Sequence, residues 1–118
     1  MIVEFKMIID DDIIEFKSIG KLQNNELVFQ DRNNKENNIK VQFLNNMIKV
    51  IQEGSTTMEN THILDQKIDG FYKGAHNVNG VTSCYTKKLD WHNNSLYIEY
   101  DFYFNGNLAS KNKLFIKY

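Results

Sequence analysis

The sequence predicts an all-β protein, a single antiparallel up-and-down barrel of about eight to ten strands spanning residues 1–118. Three observations lead there. Apolar and polar residues alternate along most of the chain, as in Val3, Glu4, Phe5, Lys6 and Met7. Turn-forming residues recur at short intervals. The most strongly patterned stretch, SLYIEYDFYFNGNLA (Ser95 to Ala109), is aromatic, alternates, and ends in Asn105-Gly106, a pair suited to tight hairpins.

The elements follow in order. The first strand runs through Val3, Phe5 and Met7 and is broken by Asp10-Asp11-Asp12. A second covers Ile13 to Ile19, with Gly20 expected to begin a bend. Asn24-Asn25 turns the chain into Glu26 to Asp31, and the polar run Arg32 to Asn38 reads as a loop. Ile39 to Leu44 and Met47 to Glu53 form a hairpin about Asn45-Asn46, because Asn tolerates the left-handed conformation of such turns. STTMENTHI fits a strand with one wet face. Phe71 and Tyr72 sit on a short strand, Asn79-Gly80 signals a turn, and Val81 to Leu89 is a strand. Trp91 to Asn94 is expected to turn the chain before Ser95, and Asn112 to Tyr118 closes it. A helix needs apolar residues three and four apart over about ten positions; Asn60 to Phe71 is the one weakly periodic candidate, and strand and loop are favoured there. A barrel suits this meander because it leaves no exposed sheet edge.

Composition excludes several classes. With 42% hydrophobic and 25% charged residues the chain is an ordinary globular domain, large enough for one core. The net charge of -1 is evenly mixed, and Arg32 is the only arginine, so no nucleic-acid partner is expected. No apolar run approaches the length of a membrane helix, so no membrane partner is expected. The single cysteine, Cys84, cannot close an internal disulfide, and MIVEFKMII lacks the pattern of a secretory signal; both favour the cytoplasm. The abundance of Asn, Lys and Ile reads as AT-rich codon usage.

The residues also carry a resemblance. IEFKSIG (Ile14 to Gly20), VIQEG (Val50 to Gly54), Met58 four residues later, Thr86 within SCYTKKL and IEYD (Ile98 to Asp101) resemble, in order and spacing, the YwiB-like family of bacterial proteins. That family is a domain of unknown function with a calycin-like barrel, and the similarity runs from about Ile14 to Tyr118. The resemblance implies a closed barrel of about eight strands and no known activity. The chain departs from the family where an arginine is frequent (here Gln52), where an aromatic is usual (here His62), and in the rearranged segment YKGAHNVNG.

No reaction signature is present, and no enzyme activity, cofactor or metal is expected. His62, His76 and His92 lie too far apart for a local metal motif. Cys84, with Thr82 and Thr86 on its face, is expected to be a small interior residue and not a nucleophile. Glu99 and Asp101 share a strand face, at a spacing seen in carbohydrate acid–base pairs, but are expected to be solvated and balanced by Lys113 or Lys117. The Gly-x-Trp signature of lipocalins is missing, and Arg32 in a polar loop cannot supply the carboxylate clamp of fatty-acid carriers.

Two readings remain. In the first, the interior binds a small apolar or amphipathic ligand, using Phe16, Phe43, Met58, His62, Tyr72, Cys84 and Tyr100. Phe29, Val50, Ile98, Phe102 and Ile116 are expected to face inward with them. In the second, the barrel is filled and acts through its surface as a protein-interaction module or homodimer, with no ligand and no catalysis. An enclosed apolar cavity marks the first, and an exposed apolar patch the second.

Overall fold

The computed structural model describes all 118 residues, Met1 to Tyr118. Ten strands form: β1 (Ile2–Ile9), β2 (Asp12–Gln23), β3 (Glu26–Gln30), β4 (Asn38–Leu44), β5 (Met47–Glu53), β6 (Thr57–His62), β7 (Lys67–Lys73), β8 (Asn79–His92), β9 (Ser95–Phe104) and β10 (Asn107–Lys117). The only helical element is one 3-10 turn at Ala75–Asn77. Each strand pairs antiparallel with its chain neighbours, and β1 pairs with β10 through six residue pairs from Glu4↔Lys117 to Ile9↔Asn112. The sheet is therefore closed, as the alternation predicts.

The hairpins explain the asparagines. Seven of the ten non-glycine residues with positive φ are Asn, so these residues have a conformational task beyond codon bias. Asn24-Asn25, Asn93-Asn94 and Asn105-Gly106 carry positive φ at both central positions, the geometry whose twist matches two-residue hairpins. Asn105 also accepts a hydrogen bond at Oδ1 from the Val81 N–H, 3.0 Å away, which ties the β9–β10 turn to β8.

Three expected turns are strand instead. Gly20 lies within β2, where a Cβ would come within 2.4 Å of Val3 Cγ2. Asn79-Gly80 opens β8, and a Gly80 Cβ would meet the Phe104 ring at 2.4 Å. Both glycines make room for a neighbouring side chain, a demand that looks the same as a turn signal in sequence. Trp91 also belongs to a strand: β8 continues to His92, and only Asn93-Asn94 turn. Its ring stacks on Phe43 at 4.6 Å, and its indole N–H donates to the Tyr118 hydroxyl at 2.8 Å.

Alternation divides the barrel into two faces. Val3, Phe5, Leu27, Phe29, Ile39, Val41, Phe43, Ile48, Leu96, Ile98, Leu114 and Ile116 are buried together. Phe5, Phe16 and Phe29 form an aromatic cluster with ring centroids 4.7 to 6.3 Å apart. This side of the interior is filled with side chains. A β-bulge between Thr86 and Lys88 shifts the phase of β8, so Thr82, Cys84 and Thr86 face inward before it and Leu89 and Trp91 after it.

Asn105→Ala removes the side chain that tolerates φ 49° and the bond to Val81. It is expected to lower the unfolding free energy by about 1–2 kcal/mol in urea denaturation, with Asn105→Gly losing less.

Candidate functional site

The pleat turns all seven predicted site residues inward, but it does not gather them at one place. Phe16 belongs to the aromatic cluster with Phe5 and Phe29, and Phe43 is stacked under Trp91 at the opposite end from Tyr72. The other five meet on β6 to β9. Register pairs Met58 with Tyr72, Thr86 with Tyr100, and Cys84 with both Ile68 and Phe102. The His62 ring stands 4.5 Å from that of Tyr100.

Around these five lies a buried polar cluster that alternation alone did not reveal. Asn60, His62, Thr82, Thr86 and Asn112 are all buried. Asn and Thr at every second position read equally well as a wet face; the signal that separates the two was Cys84 sharing their phase in β8. The Thr82 hydroxyl lies 3.1 Å from Asn60 Oδ1 and 3.5 Å from the Glu59 carbonyl. Here β6 and β7 share only three residue pairs, Thr57↔Lys73 to Glu59↔Phe71. Gly70 lets the strands come this close, since a Cβ there would stand 1.9 Å from the Glu59 carbonyl oxygen.

His62 is the centre of the cluster. It is 1% exposed, and burial lowers its pKa from 6.5 to about 4, so it is neutral at pH 7. Its Nδ1 lies 3.0 Å from the Thr86 hydroxyl. The hydroxyl and Nδ1 are partners in either neutral tautomer, the hydroxyl donating to a bare Nδ1 or accepting from Nδ1–H. Nε2 itself has no partner, and neither has Asn112 Oδ1. The two flank Tyr100: His62 through its ring, Asn112 as its register partner on β10. Burial pushes the Tyr100 hydroxyl above its ordinary range; Cys84 adds to this and a hydrogen bond from Asn112 opposes it. The phenol is 3.9 Å from Met7 Sδ.

Toward the β7–β8 loop, Met58, Tyr72, Phe102 and Phe104 are half-buried inward side chains. Tyr72 and Phe104 meet edge to face at 5.8 Å. They form an apolar rim above the polar cluster.

None of the main concavities lies between His62 and the Met58–Tyr72 rim. One of about 630 Å³ runs across the outer face of β2, β1, β10 and β9, past Glu15, Lys6, Phe115 and Tyr97. Another of about 660 Å³ lies beside the β4–β5 turn and the β6–β7 loop. Both are open to solvent.

The remaining candidates resolve individually. Glu99 and Asp101 face outward and are paired from β8: Lys88 Nζ is 3.7 Å from Glu99, and Lys87 Nζ is 2.9 Å from Asp101. This corrects the expectation that Lys113 or Lys117 balances them; the bulge presents Lys87 on the nearer side. Asp101 holds the Lys87 ammonium above its ordinary pKa. Burial pushes the Cys84 thiol up to about 12. His76 lies in the 3-10 turn, and His92 pairs with Asp90 at 3.1 Å. No three His, Cys, Asp or Glu side chains gather to hold a metal.

Two predictions follow from these environments. Unfolded, the His62 imidazole takes up its proton near pH 6.5; folded, it does so only near pH 4. Between these values the unfolded chain binds more protons, so the stability present above pH 6.5 falls as pH drops toward 4, by about 3 kcal/mol. Urea denaturation of the wild type and of His62→Gln across this range is expected to show that loss only in the wild type. The Cys84 thiol is expected to resist a thiol reagent at pH 8 in the folded protein and to react once in denaturant.

No protein-family model and no curated protein sequence matches the chain. Among solved structures it is similar to the crystal structure of the YwiB protein from Bacillus subtilis, with a TM-score of 0.71 and 15% identity, over 98% of this chain and 87% of that one. The likeness shows a common fold: this chain is a closed, ten-strand antiparallel barrel of the YwiB kind.

Proposed function

We propose that this barrel is a non-enzymatic binder of a small amphipathic molecule, held in the interior between the His62–Asn112 cluster and the Met58–Tyr72 rim. One observation carries the reading: two polar atoms, His62 Nε2 and Asn112 Oδ1, are buried beside Tyr100 without a partner. Each such group costs about 1–3 kcal/mol of stability while unsatisfied. Buried polar groups left so usually have a task. The filled apolar side supports a ligand with a polar head over a wholly apolar one. The unpaired Cys84 supports a reducing compartment such as the cytoplasm. No helix is long and apolar enough to cross a membrane.

A second reading has its own support. The outer groove of about 630 Å³ places Phe115, 37% exposed, against Tyr97 with centroids 4.7 Å apart, flanked by Lys6 and Glu15. Such a surface suits contact with another protein or a second copy of this chain.

Native mass spectrometry of the protein isolated from its own cells separates the two. The expected result is a reproducible extra mass on the folded monomer that leaves on denaturation and is reduced in His62→Phe. A bare monomer overturns the ligand reading. A bare dimer overturns it in favour of the outer face.

A further inference from the structure

The interior is unusual in what it lacks. No lysine, arginine or glutamate occupies an inward strand position, and the one aspartate that does, Asp12 opposite Ile9, is exposed at the start of β2. All the lysine–carboxylate pairs, such as Lys49–Glu59 and Lys87–Asp101, lie on the outer face. The one buried carboxylate, Asp31, follows β3 and accepts the backbone N–H groups of Asn33 and Asn34. The polar groups inside are amides, hydroxyls, a thiol and one imidazole.

A charged ligand would meet no buried counter-ion in such a space, and burying an ionised group unpaired is strongly unfavourable even after the surroundings relax. The two unpartnered atoms specify the rest. His62 Nε2 offers a donor or an acceptor according to its tautomer, and Asn112 Oδ1 offers one acceptor. Resting on the interior-binding reading above, we infer that the ligand is electrically neutral and carries both a carbonyl acceptor and N–H donors on one polar head, as a primary carboxamide does. One N–H meets Asn112 Oδ1, and the carbonyl or the second N–H meets His62 Nε2, whichever its tautomer calls for. The apolar remainder lies among Met58, Tyr72, Phe102 and Phe104. This excludes free fatty acids, phosphates and amines.

The test uses a matched pair of probes, hexanamide and hexanoate, titrated at pH 7 into the ¹⁵N-labelled full chain. Imidazole and side-chain amide resonances report on His62 and Asn112. Hexanamide is expected to shift both saturably and to bind at least about 100-fold more tightly than hexanoate. Asn112→Leu, which keeps His62 as the reporter, is expected to weaken hexanamide about tenfold. Hexanoate binding at His62 as tightly as hexanamide overturns the neutral-ligand inference and leaves interior binding standing. No shift of His62 with either probe overturns both.

Discussion

The ladder between β1 and β10 turns a ten-strand meander into an enclosure, and the other features depend on it. An open sheet of the same strands would have two free edges and two faces, either of which could be wet. Once Glu4↔Lys117 to Ile9↔Asn112 are paired, every second side chain on every strand faces one shared space. Phe5 and Met7 then lie beside Ile116 and Leu114, residues more than a hundred positions away. The β1–β2 turn is fastened to the same ladder: Asp10 accepts the Lys111 N–H at 2.9 Å and donates its own N–H to the Lys111 carbonyl at 2.9 Å.

Closure makes the interior a single volume but not a uniform one. Aliphatic and phenyl groups from β1 to β5 and the far ends of β9 and β10 fill one side. The other side is lined by β6 to β9, where β6 and β7 part after three pairs and side chains take over from the ladder. The same geometry accounts for the chemistry of His62. Its ring is dry because the barrel is closed, neutral because it is dry, and fixed in orientation by Thr86. Glu99 and Asp101, two residues apart like many catalytic pairs, sit outside the wall and are neutralised there.

Local pattern made much of the fold legible. Val3, Phe5 and Met7, or Leu96, Ile98, Tyr100 and Phe102, state their buried face through a period of two, and Asn105-Gly106 states its turn. What stayed hidden depends on partners distant in sequence. Gly20 and Gly80 gave turn signals because glycine marks both a bend and a crowded wall, and only Val3 and Phe104 decide between these. Trp91 looked like part of a turn because the bulge after Thr86 breaks the alternation that would have placed it in β8. The site was half legible. Inward direction could be read for His62, Tyr72, Tyr100 and Cys84 with its neighbours Thr82 and Thr86, but Asn60 and Asn112 could not be told from solvated residues until closure fixed which face was dry.

The distance along the chain between the two closing strands has a consequence for biosynthesis. A ribosome releases β1 roughly a hundred residues before β10, so the nascent chain carries β1 with an unpaired edge throughout the synthesis of the other strands. Nine strands in hand are still an open sheet with Phe5, Phe16 and Phe29 accessible from one side. Protection of that apolar surface waits for the final eleven-residue strand, Asn107–Lys117, so a ribosome stalled before it leaves a sheet edge ready to pair with other chains.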